Sequence, residues 1–202
     1  MPDELVLGPV RAELTRTFAR RATEARARAL AALDSDRYLA VLAAVDELLA
    51  DPPFTRRASR EARVVLPREV GGAYRRMAAA MVTAGAVPAG AERDAALHEA
   101  RKAAKRLRYA TEAAVPVVGG HARRLQRRLE AVQDLLGAHQ DTAVTRATLR
   151  ELAVAATAEG GNGFTYGLMH AAEAERARRA QQDLPAVWAR LSSRRSIGWL
   201  TR

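Results

Sequence analysis

His98-Glu99-Ala100-Arg101-Lys102-Ala103-Ala104-Lys105-Arg106-Leu107-Arg108-Tyr109 is the stretch from which the rest of the chain can be read. Stepping 100° per residue puts Leu97, Ala100, Ala104, Leu107, Thr111 and Ala114 within roughly a third of a helical circumference. His98, Arg101, Lys102, Lys105, Arg108, Tyr109 and Glu112 fall on the opposite side, with Arg106 at its edge. The spacing predicts a helix from about Glu92 to Val115 with an apolar back and a cationic face. Residues 98–109 hold five cations and one acid, and Lys102 and Lys105 are the only lysines among 33 basic side chains. Like charges at i,i+3 and i,i+4 each cost a helix a few tenths of a kcal/mol. That cost points to a compensating anion.

The following segment repeats the arrangement. His121, Arg123, Arg124, Arg127 and Arg128 share one face and Leu125, Leu129, Val132 and Leu136 another, with no acid from His121 to Leu129. A short connection through Pro116, Gly119 and Gly120 makes the two helices antiparallel neighbours. The reading therefore places the two stripes on either side of one groove, where walls of one sign focus the potential. Arg75 and Arg76 are a third candidate, for which a plain solvated face is the simpler explanation. Codon bias toward arginine and alanine would account for the net charge of +10, but not for its clustering.

Helical spacing extends in both directions. A first helix is predicted from about Pro9 to Leu33 and a second, capped by Asp34 or Ser35, from Asp36 to Leu49 before Asp51-Pro52-Pro53. A third begins between Arg60 and Pro67 and runs to about Thr83; the loop Gly85–Gly90 follows. His121 to about Glu159 reads as helix with a break at Gly137. Gly160-Gly161-Asn162-Gly163 is a turn, and the last helix covers about Phe164 to Leu191. Residues 1–191 form the helical domain, with 1–85 and 91–191 as its two parts; 192–202 is a tail expected to fray, in which Trp199 could dock.

The bulk numbers agree. In 202 residues, 49% are hydrophobic and only 4% aromatic, so the core is built of Ala, Leu and Val, and the class is all-α. The charge argues for an anionic partner. The absence of Cys excludes disulfides and thiolate metal sites and fits a reducing cytoplasm. No run approaches ~18 apolar residues, and the N-terminus lacks a signal-peptide core.

His98-x-x-Arg101-Lys102-x-x-Lys105-Arg106-x-Arg108-Tyr109, followed by Leu135-Leu136-Gly137-x-His139-Gln140-Asp141, resembles the CHAD domain, an α-helical domain with characteristic histidines. The resemblance is close from Asp94 to about Leu152. It implies two pseudo-symmetric four-helix bundles around a basic cavity, binding of inorganic polyphosphate and association with polyphosphate granules. Carried over, the contacts are Arg101, Lys102, Lys105, Arg106 and Arg108, with His98 at the helix start; Arg123, Arg124, Arg127 and Arg128 are expected contributors. The family's usual second copy of the His-x-x-Arg helix is not found. The chain thus resembles the later part of such a domain, lacking its first basic helix. The Glu-x-Glu-x-Lys signature of the frequently associated tunnel domain is likewise not found.

Nucleic acid is the competing partner, but single-strand binders use aromatic platforms, and only Tyr109 lies on the basic face. Catalysis is not expected. His98, His121, His139 and His170 do not fall at zincin spacing, and no P-loop, nucleophile elbow or paired carboxylates occur. No metal or cofactor is expected, and Asp134 and Asp141 are read as caps or arginine partners. A protein-binding helical module is a further alternative; an apolar stripe left bare would favour dimerisation.

Overall fold

Helices account for nearly all of the computed structural model, which describes residues 2–200; among these residues there is no strand. In chain order they are α1 (Val10–Leu33), α2 (Asp36–Ala50), α3 (Ala62–Ala86), α4 (Ala91–Val118), α5 (Gly120–Ala158), α6 (Phe164–Leu191) and the single turn α7 (Arg194–Ile197). The chain divides into two compact units, one ending at Ser59 and the other starting at Arg60.

The first unit is α1 and α2, which make only sparse contact with each other. Ser35 caps α2, its Oγ accepting from the Tyr38 N–H at 3.3 Å. Every residue from Asp36 to Ala50 is exposed. These include Tyr38, Val41, Leu42, Val45, Leu48 and Leu49, which share one helical stripe.

The second unit packs α3, α4, α5 and α6 as successive neighbours. Tyr74 of α3 and Trp188 of α6 stack with ring centroids 5.9 Å apart and close the four-helix arrangement. Ala100, Ala104, Ala114 and Ala122 are fully buried, so the backbones approach closely. Leu107, Leu125, Leu129 and Val132 fill the space between them. The face of α4 predicted to be apolar is the buried one, residue for residue, and the Thr111 hydroxyl is satisfied by donating to Leu107 O at 2.7 Å.

Three local expectations are corrected. Pro116 does not end α4, which continues to Val118 and stops at Gly119, where φ is +68°. A proline this near a C-terminus removes one hydrogen bond, and glycine supplies the left-handed turn. α5 passes Gly137 unbroken. Residues 192–200 of the tail are not frayed: Trp199 and Leu200 are buried, and Trp199 Nε1–H donates to Ser196 O at 2.8 Å; 201–202 lie outside the described residues. Gly71 of α3 makes that docking possible, since a Cβ there would sit 3.3 Å from Leu200 O.

Leu129 is fully buried at the centre of this packing. Leu129→Ala should lower unfolding free energy by about 3 kcal/mol, read from urea titrations; a loss below about 1 kcal/mol would contradict the tight packing described.

Candidate polyanion-binding surface

The cations of α4 are held by a helix whose opposite side is locked into the core, so they cannot turn inward to find partners. His98 lies on the flank toward α5, and its Nδ1–H donates to Gln140 Oε1 at 2.8 Å. Arg101 crosses to α5 at Gly137, where a Cβ would lie 4.0 Å from its Nε. Lys102 is paired with Glu99 at 2.5 Å. That contact, above all, holds the exposed Glu99 carboxyl below its ordinary range. Arg108 Nε is 3.5 Å from Glu112 without a hydrogen bond, and its guanidinium lies 5.0 Å from the Tyr109 ring. Arg101, Lys105 and Arg106 make no hydrogen bond or ion pair among the described residues. Three arginines in the middle of α6 behave differently: Arg176 pairs with Glu173, and Arg178 and Arg179 with Glu175.

Two buried donors on this flank also lack acceptors, Arg108 Nε and Gln133 Nε2. With His98 opposite Gln140 and Arg101 opposite Gly137, the antiparallel register puts Gln133 level with Lys105. The seam between α4 and α5 thus carries Arg101 and Lys105 on the α4 side and the Gln133 and Gln140 amides on the α5 side.

The α5 stripe does not face the α4 stripe. The same register sets residues 121–128 level with residues 110–117, about 15 Å along the axis from the centre of the α4 run. Arg123 and Arg127 point outward and are exposed. Arg128 is turned to the C-terminal cap: Nη1 donates to Arg190 O and Ser193 Oγ, each at 2.6 Å, and to Ser196 Oγ. Arg124 lines a cavity beneath that cap. Arg75 and Arg76 are exposed on α3, folded back along their own helix beside Gly71 and Gly72. A helical wheel places all these arginines on stripes, but it does not distinguish a stripe facing water from one facing another segment's carbonyls.

Sequence reading missed a further cluster. Asp94 at the start of α4 pairs with Arg146 of α5 at 2.8 Å and lies 3.2 Å from Nε2 of the buried His139. That nitrogen is also 2.9 Å from the Gln181 side-chain amide of α6. The cluster ties α4, α5 and α6 together. Its members lie about 40 residues apart in sequence, and no local pattern announces them. Asp134 and Asp141 are exposed and make no ion pair among the described residues. No group of His and acidic residues suited to a metal ion occurs among the described residues.

An α-helical bundle with a cationic helix face and two histidines that each join neighbouring helices defines a class, and comparison names it. Residues 1–150 match the CHAD domain, so the chain belongs to the CHAD domain family. Uncharacterised proteins from two strains of Mycobacterium tuberculosis are each 38% identical to it over 194 residues, 95% of this chain. The chain spans 36% of their length. No solved structure matches it. No helix among the described residues is long and apolar enough to cross a membrane.

Burial pushes the His139 imidazole below its ordinary value of 6.5, against the attraction of Asp94 and with help from Arg146. The unfolded chain therefore takes up this proton first as pH falls. The stability carried by neutral His139 is complete above about pH 6.5 and declines below it. Urea midpoints at pH 7.5 and 5.5 should fall less for His139→Gln than for the wild type. An equal fall would dissociate the acid sensitivity from this residue.

Proposed function

We propose that the chain is a non-catalytic module that binds inorganic polyphosphate along the α4–α5 groove, through Arg101, Lys102, Lys105, Arg106 and Arg108, with His98 positioning the start of the run. CHAD domains are associated with polyphosphate binding, and family membership supplies the ligand class. The single observation that carries the reading is the free charge on α4: Arg101, Lys105 and Arg106 stand unpaired among the described residues on a rigid helix, while Arg176, Arg178 and Arg179 of α6 are neutralised by glutamates of their own helix. Guanidinium forks and ammonium groups both grip phosphate oxygens, and a linear polyanion has no bases to read. Two acceptor-less donors beside the same groove suit an oxygen-rich ligand. Nucleic acid is the weaker reading, because the exposed Tyr109 is the one aromatic on the basic face. Of the α5 arginines, Arg123 and Arg127 remain candidates for contact, whereas Arg128 is used structurally. Association with polyphosphate granules follows from the same binding.

Arg101→Glu/Lys105→Glu should lose retention on immobilised polyphosphate by at least about tenfold, while helical circular dichroism stays unchanged. Excess double-stranded DNA should compete poorly. Retention at wild-type level in the double variant removes the groove from the site, and displacement by DNA at equal phosphate concentration assigns it to nucleic acid instead.

We also infer that α1 and α2 pair with a second copy of this chain. Phe18, Leu30, Leu33, Tyr38, Leu39, Val41, Leu42, Val45, Leu48 and Leu49 are between 38% and 74% exposed. Together they offer on the order of 800 Å² of apolar surface, the area one partner of a standard interface buries. Charge favours crossed pairing: α1 has six arginines and two glutamates, α2 three acids and one arginine. Two such hairpins bury these faces as a four-helix bundle. Light scattering on the full chain should give a dimer, and Val45→Glu/Leu49→Glu a monomer of unchanged helix content. A wild type that stays monomeric at about 50 μM removes the idea.

A further inference from the structure

The cations that the α4–α5 groove does not use collect elsewhere. A cavity of about 710 Å³ lies between the first turn of α5 and the C-terminal cap, lined by His121, Arg124, Ser192, Arg194, Arg195 and Trp199 among others, with no acid among the described residues of its lining. Arg194 and Arg195 fall in the segment the sequence reading set aside as tail.

We propose that this cavity is a second, separate anion site that takes a triphosphate group. Four basic side chains converge on it, and none of them has a hydrogen bond or ion pair among the described residues. His121 belongs to the first turn of the 39-residue helix α5, whose N-cap is Gly119 and which has no side-chain cap. The Gly120, His121 and Ala122 N–H groups therefore lack intrahelical acceptors, and the helix dipole adds to the attraction for an anion. Ser192 Oγ, also in the lining, is buried without a partner. Several phosphate units fit in a space of this size, which lies in the range of small-ligand sites.

The pocket is held open from behind. Arg128 binds the Arg190 carbonyl and the Ser193 and Ser196 hydroxyls, fixing the segment that carries Arg194 and Arg195 against α5. No carboxylate among the described residues pairs with Arg128, so its charge adds to the potential in the cavity. The site rests on the phosphate-binding reading for its ligand class only. Its residues are distinct from those of the α4–α5 groove, so the two can fail separately.

Trp199 in the wall supplies a reporter. Titration of the full chain with tripolyphosphate should change Trp fluorescence saturably. Arg194→Gln/Arg195→Gln should weaken that binding about tenfold or more, as should Arg124→Gln on the rigid helix, while Arg101→Glu/Lys105→Glu leaves it within about twofold. ATP presents the same triphosphate: equal affinity for ATP means the phosphates alone are read, and tighter ATP binding makes a nucleotide the source. Both results support the site. Tripolyphosphate binding unchanged in both cap variants, or no saturable binding by the wild type, overturns it. So does binding that disappears with Arg101→Glu/Lys105→Glu alone.

Discussion

Burial of the alanine-rich back of α4 is the interaction on which this structure depends. Ala100, Ala104 and Ala114 bring α4 so close to its neighbours that the helix has no rotational freedom, and Leu107 fixes its depth. Once the back is committed, the positions of Arg101, Lys105, Arg106 and Arg108 follow from helical geometry alone. Packing thus offsets an electrostatic penalty that these side chains would relieve if the helix could turn. A surface with free positive charge is maintained by hydrophobic contacts on the other side of the same helix.

The histidines sit at the joints of this arrangement rather than at its chemistry. His98 holds α4 to α5 through Gln140, and His139 receives Asp94 from one helix and Gln181 from another. Their contribution is to register. They set which residue of α5 lies beside which cation of α4, so that Gly137 meets Arg101 and leaves it room. An alanine at 137 would place a methyl group against that guanidinium, where the glycine leaves space.

The class and the buried face of α4 were legible because a 3.6-residue period is a local property and the stretch Leu97–Ala114 keeps it. The destinations of the α5 arginines were not. Arg123, Arg124, Arg127 and Arg128 look alike on a wheel, yet one donates to a carbonyl of another segment, one lines a cavity and two face water. The difference is set by residues 190–200, whose short, arginine-rich sequence reads as solvent-loving. Its fixed position comes from Trp199, Leu200 and the gap at Gly71, none of which is a local signal. Gly137 misled in the opposite direction: read as a break, it sits inside an unbroken helix beside Arg101.

The uninterrupted α5 also works as a ruler. It is about 58 Å long and carries the wall of the groove and the floor of the cap cavity on one rigid rod, so the spacing between the two cationic regions does not fluctuate. A short anion can engage one region at a time. A polymer long enough to reach both gains effective concentration from its first attachment. With phosphate bound at both regions as proposed above, such a rod would convert the length of a ligand into affinity without any new contact.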